Sequence, residues 1–197
     1  MSLIVDRRDQ EFVLYEMLGL EELFSTPRFA DYSKDMFDMA IDLSKRISEE
    51  EVLTSYMEGD REGAKLINGE VKVPHCYHHL HKTMNNSGLF TMAVSPEAGG
   101  QGFPYVIDLA AREYYVFNMG FLLYPEAAVG AAHLIEVYGT EEQKNKYMYK
   151  MYEGKWGGTM VLTEPEAGSD VGNLKTKAIP QPDGTYRIVG SKIFISG

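Results

Sequence analysis

The chain has 197 residues, of which 44% are hydrophobic and 12% aromatic, and a formal net charge of −10 at pH 7. This composition is sufficient for a packed core and excludes a chain that is disordered throughout. The acidic balance argues against nucleic acid as a main partner, because phosphate binding needs clustered Lys and Arg. No run of about 18 consecutive apolar residues is present, so we expect no membrane span.

The first third of the chain has the apolar spacing of helices. Residues 6–18 gather apolar side chains on one side, and residues 21–27 interrupt that pattern. A second helix is predicted from residue 31 to about residue 54, where a wide apolar stripe recurs at steps of three and four. The stripe consists of Met36, Phe37, Ala40, Ile41, Leu43, Ser44 and Ile47. Residues 58–63 are charged and contain glycine, so we predict a loop there.

Turn signals organise the next part of the chain. Asn68 and Gly69 lie between short apolar arms and predict a β-hairpin within residues 66–73. Pro74 fits the first turn of a new helix that runs towards residue 85. The glycine-rich residues 95–102 interrupt the helical pattern. They do not lie between a strand and a helix, so a tight turn is favoured over a dinucleotide-binding loop.

Helices are predicted again at residues 105–119 and at residues 121–138. Thr140 and Gln143 have the spacing of a capping box, in which each side chain bonds the backbone N–H of the other residue. They therefore predict the start of a third helix, which ends near Gly154.

After Trp156 the pattern changes from helix to strand. We predict a turn at residues 182–184 and four strands, at residues 157–163, 174–179, 185–190 and 192–196. Four strands that stop in mid-pattern leave sheet edges open. We therefore expect further chain to follow residue 197.

The loop after the first of these strands contains donors suited to an anion. Gly168 has no Cβ, so backbone N–H groups near it are able to approach a phosphate oxygen closely. Thr163 and Ser169 add hydroxyl donors. On these grounds alone the segment is either an anion-binding turn or an ordinary loop.

This segment resembles a family signature. LTEPEAGSD (162–170), followed by DGTYRIVGSKIFISG (183–197), is closely similar to the flavin-contacting signature of the acyl-CoA dehydrogenase family. YGTEEQK (138–144) and PEAGGQG (96–102) match elements that precede the signature in the same family. The similarity covers about residues 80–197, and the preceding residues resemble the longer N-terminal region of the family's extended branch.

The resemblance implies a mainly α fold in two parts. Residues 1–155 would form an all-α N-terminal helical domain, of which about residues 1–75 are the extension. Residues 156–197 would be the first strands of an incomplete middle β-barrel or sandwich domain. Family members are usually homo-oligomers, so we expect the same of the complete protein.

FAD is the cofactor that the resemblance implies, and seven residues would bind it. Leu162 and Thr163 would hydrogen-bond the flavin ring, while Gly168 and Ser169 would lie against the pyrophosphate or the thioester arm of acyl-CoA. The remaining three are Phe194, Ile195 and Ser196. Phe194 would pack on the ring where many members have Trp, and Ser196 would reach the flavin N5 edge where many have Thr. These departures leave flavin binding expected and its redox tuning open.

The resemblance also implies a reaction, the FAD-dependent α,β-dehydrogenation of an acyl-CoA thioester. A Glu base removes the α-proton while a hydride leaves the β-carbon for the flavin, and electrons pass on to an electron-transferring flavoprotein. In the family that base lies in the C-terminal helical domain. Glu164 and Glu166 do not match it, so we predict that the base lies beyond residue 197 and that this chain alone is inactive. Leu122, Leu123 and Tyr124 are candidates for one wall of the acyl pocket.

Two alternatives remain open. An acyl-CoA oxidase, which passes electrons to oxygen, belongs to the same class of enzyme. A non-catalytic module that binds a ligand or partner and derives from the same fold belongs to another class. Flavin binding without bleaching by acyl-CoA would favour the module.

Cysteine and histidine add little to this interpretation. Cys76 is the only cysteine, so no intramolecular disulfide forms, and the N-terminal residues lack a secretory signal; we expect a cytoplasmic protein. The segment PHCYHHLH (74–81) places His75 and His79 on one helix face. A metal site needs three or four ligands, so we predict surface or packing histidines and no metal.

Overall fold

The computed structural model describes residues 4–196, and most of this range up to residue 152 is helical. The helices are α1 (Arg7–Glu11), α2 (Lys34–Ile47), α3 (Leu53–Glu62), α4 (His75–Asn86), α5 (Tyr105–Arg112), α6 (Met119–Tyr138), α7 (Glu141–Gln143) and α8 (Tyr149–Tyr152). The predicted mainly α fold class is therefore confirmed. Across the described residues, each helix is too short or too polar to cross a membrane.

Wider π-helical turns join several of these helices. Phe12–Met17 extends α1, Ser48–Val52 joins α2 to α3, and Lys144–Met148 joins α7 to α8. The second junction makes one continuous helical rod from Lys34 to Glu62.

The loop predicted at residues 58–63 is wrong, because α3 continues to Glu62 and ends only at Gly63. Gly59 explains the difference, since it packs against the side chain of Tyr77 on α4. An added Cβ at Gly59 would lie 2.3 Å from the Tyr77 hydroxyl oxygen. Close packing of two helices thus stabilises a helical turn that local composition disfavours.

Two helix starts follow the capping rules. The Ser33 side chain accepts a hydrogen bond from the backbone N–H of Met36 and begins α2. At α7, the N–H of Thr140 donates to Gln143 Oε1 at 2.9 Å, and the N–H of Gln143 donates to Thr140 Oγ1 at 3.2 Å. The predicted capping box is confirmed.

The main core lies between α2, α4, α5 and the start of α6. From α2 it receives Phe37 and Ile41, which are fully buried, and the ring of Phe37 meets that of Phe103 with centroids 5.5 Å apart. Burial of each such side chain stabilises the fold by roughly 1.5–3 kcal/mol. A smaller cluster joins α6 to α8 and consists of Val94, Ala98, Ala132, Met148 and Tyr152.

The helix predicted at residues 105–119 is shorter than expected. Its helical part ends at Arg112, and turns lead to Asn118. Asn118 is buried, and its amide donates to the Ser55 hydroxyl at 3.1 Å. This tertiary contact separates α5 from α6. The predicted turn at residues 95–102 is confirmed, with a single 3₁₀ turn at Pro96–Ala98.

Two small antiparallel hairpins complete the described chain. β1 (Lys65–Ile67) pairs with β2 (Glu70–Lys72), and β3 (Lys177–Pro180) pairs with β4 (Tyr186–Val189). Asn68 and Gly69 have φ values of 53° and 81°, as a tight primed turn requires. The first hairpin was predicted from this pair and is confirmed.

The strands predicted at residues 157–163 and 192–196 are wrong, because both segments have irregular backbone. One hydrogen bond joins their backbones, from the N–H of Ile193 to the carbonyl of Thr163 at 3.0 Å. A strand needs a ladder of such bonds. The division into two domains at residue 155 stays a prediction, and the outer limits of those domains, residues 1–3 and 197, lie outside the described residues.

Candidate functional site

The candidate site is built around a tight turn at residues 164–167. The N–H of Glu164 donates to the carbonyl of Ala167 at 2.9 Å, and the N–H of Ala167 donates back to Glu164 at 3.2 Å. Pro165 occupies the first central position, where its fixed φ suits a turn. The chain is thereby reversed, and Gly168 and Ser169 follow at the exit of the turn.

The carboxylate of Glu164 connects this turn to the backbone of Lys175 and Thr176. It is buried, and it accepts hydrogen bonds from the N–H of Lys175 at 2.7 Å and from the N–H of Thr176 at 2.9 Å. A third donor is Lys192 Nζ at 3.0 Å. The contacts with Thr176, then with Lys175 and Lys192, lower the pKa of Glu164 to about 2. The side chain is therefore a carboxylate across the physiological pH range.

The same contacts bring two of the predicted flavin-binding segments together. We call residues 159–164, which lead into the turn, the turn segment, and residues 192–196 the partner segment. Lys192 Nζ donates to the carbonyl of Leu162 at 2.7 Å, and the N–H of Ile193 donates to Thr163. The Thr159 hydroxyl donates to the carbonyl of Ser196. The two segments therefore lie side by side, although 30 residues separate Leu162 from Lys192.

Phe194 has an unusual position in the partner segment. Its side chain is 88% exposed, and its φ of 56° lies in the left-handed region, which disfavours a residue with a Cβ by about 1 kcal/mol. Such a conformation persists where neighbouring contacts fix it. The bonds of Ile193 and Ser196 to the turn segment supply those contacts on both sides of Phe194.

The donors near this exposed ring are free. Within residues 4–196, the backbone N–H groups of Leu162, Thr163, Gly168 and Ser169 donate to no protein acceptor. The space at Gly168 is open, since the nearest atom to an added Cβ would be Thr163 Cγ2 at 4.0 Å. Free N–H donors, an exposed aromatic ring and the exposed side chain of Leu162 suit a planar ligand that carries acceptors and phosphate.

The three predicted acyl-pocket residues point in different directions. Leu122 is buried in the main core, whereas Leu123 and Tyr124 are exposed. Tyr124 lines a cleft of about 380 Å³ between α4 and α6, to which Leu122 does not contribute. The hydroxyl of Tyr124 packs over Gly157, where an added Cβ would lie 2.4 Å from it. The cleft therefore adjoins the chain that leads into the turn segment.

Sequence reasoning missed Lys192, which contacts both the turn backbone and Glu164. A lysine in an apparent strand gives no local signal of such a contact. It also missed a charged cluster of Asp108, Arg112 and Glu126, in which Arg112 Nε bonds Asp108 Oδ2 at 2.7 Å and Nη1 bonds Glu126. Only the i,i+4 spacing of Asp108 and Arg112 was visible in the sequence.

The histidines of α4 are spread along the helix. His75 and His78 approach each other edge-on with ring centroids 6.4 Å apart, and His79 Nε2 pairs with Glu51 at 3.3 Å. In the described range, 4–196, three or more His, Cys, Asp or Glu side chains nowhere converge as metal ligands would.

Comparison with known proteins identifies relatives over most of the chain. Residues 38–155 match the family model for the acyl-CoA dehydrogenase N-terminal domain. The 3-methylmercaptopropionyl-CoA dehydrogenase of Ruegeria pomeroyi is 34% identical over 190 residues, which are 96% of this chain and 32% of that protein. The chain spans about a third of the length of the curated relatives it matches over nearly its whole length.

Solved structures are similar in fold. Butyryl-CoA dehydrogenase from Megasphaera elsdenii superposes with a TM-score of 0.67 at 27% identity, over 83% of this chain and 41% of that one. An acyl-CoA dehydrogenase from Bacillus anthracis, complexed with FAD, gives a TM-score of 0.67 at 29% identity, over 86% of this chain and 28% of that one.

Proposed function

Since the chain belongs to the acyl-CoA dehydrogenase family, we propose that it provides the helical domain and one flavin-contacting loop of an FAD-dependent enzyme that dehydrogenates an acyl-CoA thioester. The observation that carries the proposal is the contact between the turn segment and the partner segment. Through this contact, the segment with the free N–H donors of Leu162 and Thr163 lies beside the segment with the exposed ring of Phe194.

The residues present fit FAD. The N–H groups of Leu162 and Thr163 would donate to the pyrimidine end of the flavin, where negative charge grows on reduction. Phe194 would cover the ring and exclude water, and Ile195 and Ser196 would line its edge. When bound, FAD supplies the acceptor for the hydride that leaves the substrate.

The phosphates would lie at the exit of the turn. Gly168 allows close approach of the backbone, and Ser169 adds an N–H and a hydroxyl donor. The same pair would also contact the thioester arm of acyl-CoA. Tyr124 would line the acyl pocket where the cleft between α4 and α6 approaches Gly157, whereas Leu123, although exposed on α6, does not line that cleft.

Neither acid of the turn is proposed as the base. A general base works best with a pKa near the operating pH, whereas Glu164 has a pKa of about 2 and is occupied by three donors. Glu166 is exposed on the outside of the turn. For the complete protein, family membership supports an electron-transferring flavoprotein as electron acceptor and a homo-oligomeric state. The presence of a single cysteine, Cys76, suits the reducing compartment of a cytoplasmic protein.

Flavin titration tests this proposal. The purified chain should bind FAD. In the complete protein, acyl-CoA added in the absence of oxygen should bleach the absorbance of the bound flavin. Phe194→Ala should weaken FAD binding about tenfold, on the order of 1.4 kcal/mol for a lost ring contact.

Tyr186→Ala is the matched control, because Tyr186 is also an exposed aromatic residue and lies on β4, outside the two segments. It should leave the affinity unchanged. Equal effects of the two substitutions, or failure of the unaltered protein to bind FAD, would contradict the proposed function. Binding without bleaching in the complete protein would instead favour a non-catalytic module.

A further inference from the structure

Lys192 holds one particular peptide group of the turn segment. Its Nζ donates to the carbonyl of Leu162 at 2.7 Å and to Glu164 Oε1 at 3.0 Å. The side chain is only 17% exposed. The amino group is thus shared between a buried carboxylate and one backbone carbonyl, and both contacts belong to the same short stretch of chain.

Peptide planarity gives this contact a consequence for the neighbouring donor. The carbonyl of Leu162 and the N–H of Thr163 belong to one peptide group, which is trans. In a trans peptide the C=O and N–H point in opposite directions. A carbonyl held towards Lys192 therefore directs the N–H of Thr163 away from Lys192, and that N–H donates to no protein acceptor within residues 4–196.

Glu164 makes this arrangement rigid. Its carboxylate also bonds the backbone of Lys175 and Thr176, which lead into β3. The charge of Lys192 is thereby fixed by a group that cannot move without breaking two further bonds. Charged hydrogen bonds of this kind contribute more than neutral ones.

We propose that Lys192, fixed by Glu164, is a positioning residue that orients the N–H of Thr163 towards the flavin and holds Phe194 in its exposed conformation. The inference rests on the proposed function and deepens it. Lys192 acts through the Leu162–Thr163 peptide group. It also acts through its neighbour Ile193, whose N–H donates to the carbonyl of Thr163.

The test is Lys192→Met in the FAD-loaded protein, with Lys177→Met as control. Lys177 lies on β3, and its exposed side chain forms no ion pair with any other residue of the described range. Lys192→Met should lower FAD affinity about tenfold, shift the visible absorption of the bound flavin, and lower its reduction potential, because a donor to the reduced ring is lost. Lys177→Met should change none of these, and Lys192→Arg should restore part of the effect.

A second pair of variants keeps the test independent of folding. Glu164→Gln should shift the flavin spectrum in the same direction as Lys192→Met, by less, because it removes the ion pair and leaves the bond from Lys192 to Leu162. The double variant should be no worse than Lys192→Met alone, because Glu164 acts through Lys192. Glu166→Gln, two residues away and exposed, is its control. A purely structural role would lower the melting temperature and leave the spectrum of the bound flavin unchanged, which would overturn the inference.

Amide hydrogen exchange separates this inference from the proposed function. Without flavin, the Ile193 amide should exchange faster in Lys192→Met than in Lys177→Met. Its bond to Thr163 depends on the contacts of Lys192 with Leu162 and Glu164. Equal exchange would overturn the inference even if FAD binds. If the unaltered protein binds no FAD, the proposed function fails, and the exchange comparison still decides whether Lys192 positions the two segments.

Discussion

The imidazole of His81 lies half-buried on α4, beside the cleft that Tyr124 lines, with the two ring centroids 6.3 Å apart. Burial lowers the pKa of His81 below its ordinary value of 6.5, and the neighbouring His78 lowers it further. The other histidines near it are more exposed. His81 is therefore the α4 histidine from which a pH-dependent contribution to stability is expected.

We expect the protein to lose stability as the pH falls below about 6.5. The unfolded chain binds a proton at His81 in this range more readily than the folded one, so the free energy of unfolding decreases with each step down in pH. His81→Gln should reduce the difference between the free energies of unfolding at pH 7.5 and pH 5.5. Urea unfolding followed by circular dichroism measures both values.

His75→Gln is the control for this pH dependence. His75 lies on the same helix and is exposed. If the two variants show the same loss between pH 7.5 and pH 5.5, the buried imidazole is not the source of the pH effect.

At the scale of elements, the sequence correctly predicted those features that depend on residues close together in the chain. The Thr140–Gln143 capping box and the Asn68-Gly69 turn each depend on residues within four positions, and both formed as predicted. The apolar stripe of α2 was also visible, although its buried face is the narrower row of Phe37, Ile41, Ser44 and Ile47. Met36, on the other side of the stripe, is exposed.

The sequence could not predict elements that depend on distant partners. Residues 157–163 contain a short apolar run that predicts a buried strand, yet no ladder forms there. Helix α3 continues through charged residues because Gly59 packs on Tyr77. At the candidate site, physical reasoning from residues reached only an anion-binding turn. The family resemblance supplied the flavin roles, and the structure supplied Lys192.

Arg112 joins two helices that the sequence treats as separate. It bonds Asp108 on its own helix, α5, and Glu126 on α6. Asp108 is almost completely buried, and burial raises its pKa against the opposing effect of Arg112. Removal of the cation would leave two carboxylates beside each other in a partly closed environment.

Arg112→Met should therefore destabilise the fold by about 3 kcal/mol, the lower end of the cost of breaking a buried ion pair, because an open cleft beside it admits water. Arg46→Met, at an exposed position on α2, should change the free energy of unfolding by less than about 0.5 kcal/mol. Urea unfolding of the two variants measures the difference. A loss of less than about 1 kcal/mol for Arg112→Met would show that the cluster contributes little to the contact between α5 and α6.

At the scale of the whole molecule, burial is distributed unevenly. The helical part has a main core and a second buried cluster, whereas in residues 157–196 the buried side chains are Glu164 and Ala167. Every residue of β3 and β4 is exposed. An isolated two-stranded hairpin is at best marginally stable in water. The candidate flavin segments are thus attached to a part of the chain that stabilises them little, and ligand binding should stabilise them in turn.

Limited trypsin digestion tests this difference. Cleavage should begin at the exposed Lys177 and Arg187 and at the exposed Lys65 of the first hairpin, and should then reach the less exposed Lys192. All four should be cut before Arg46, which is exposed but lies within α2. A helical backbone must unfold locally before it enters a protease, and the core of α2 opposes that step. Mass spectrometry of the early fragments gives the order of cleavage.

Bound FAD should slow cleavage at Lys192 and leave cleavage at Lys65 unchanged, because a ligand that contacts the turn and partner segments stabilises those segments and not the distant hairpin. The ratio of the two rates, with and without FAD, removes any general effect of the ligand on the protease. Equal protection of both sites, or early cleavage within α2, would contradict the view that FAD stabilises the less buried residues 157–196.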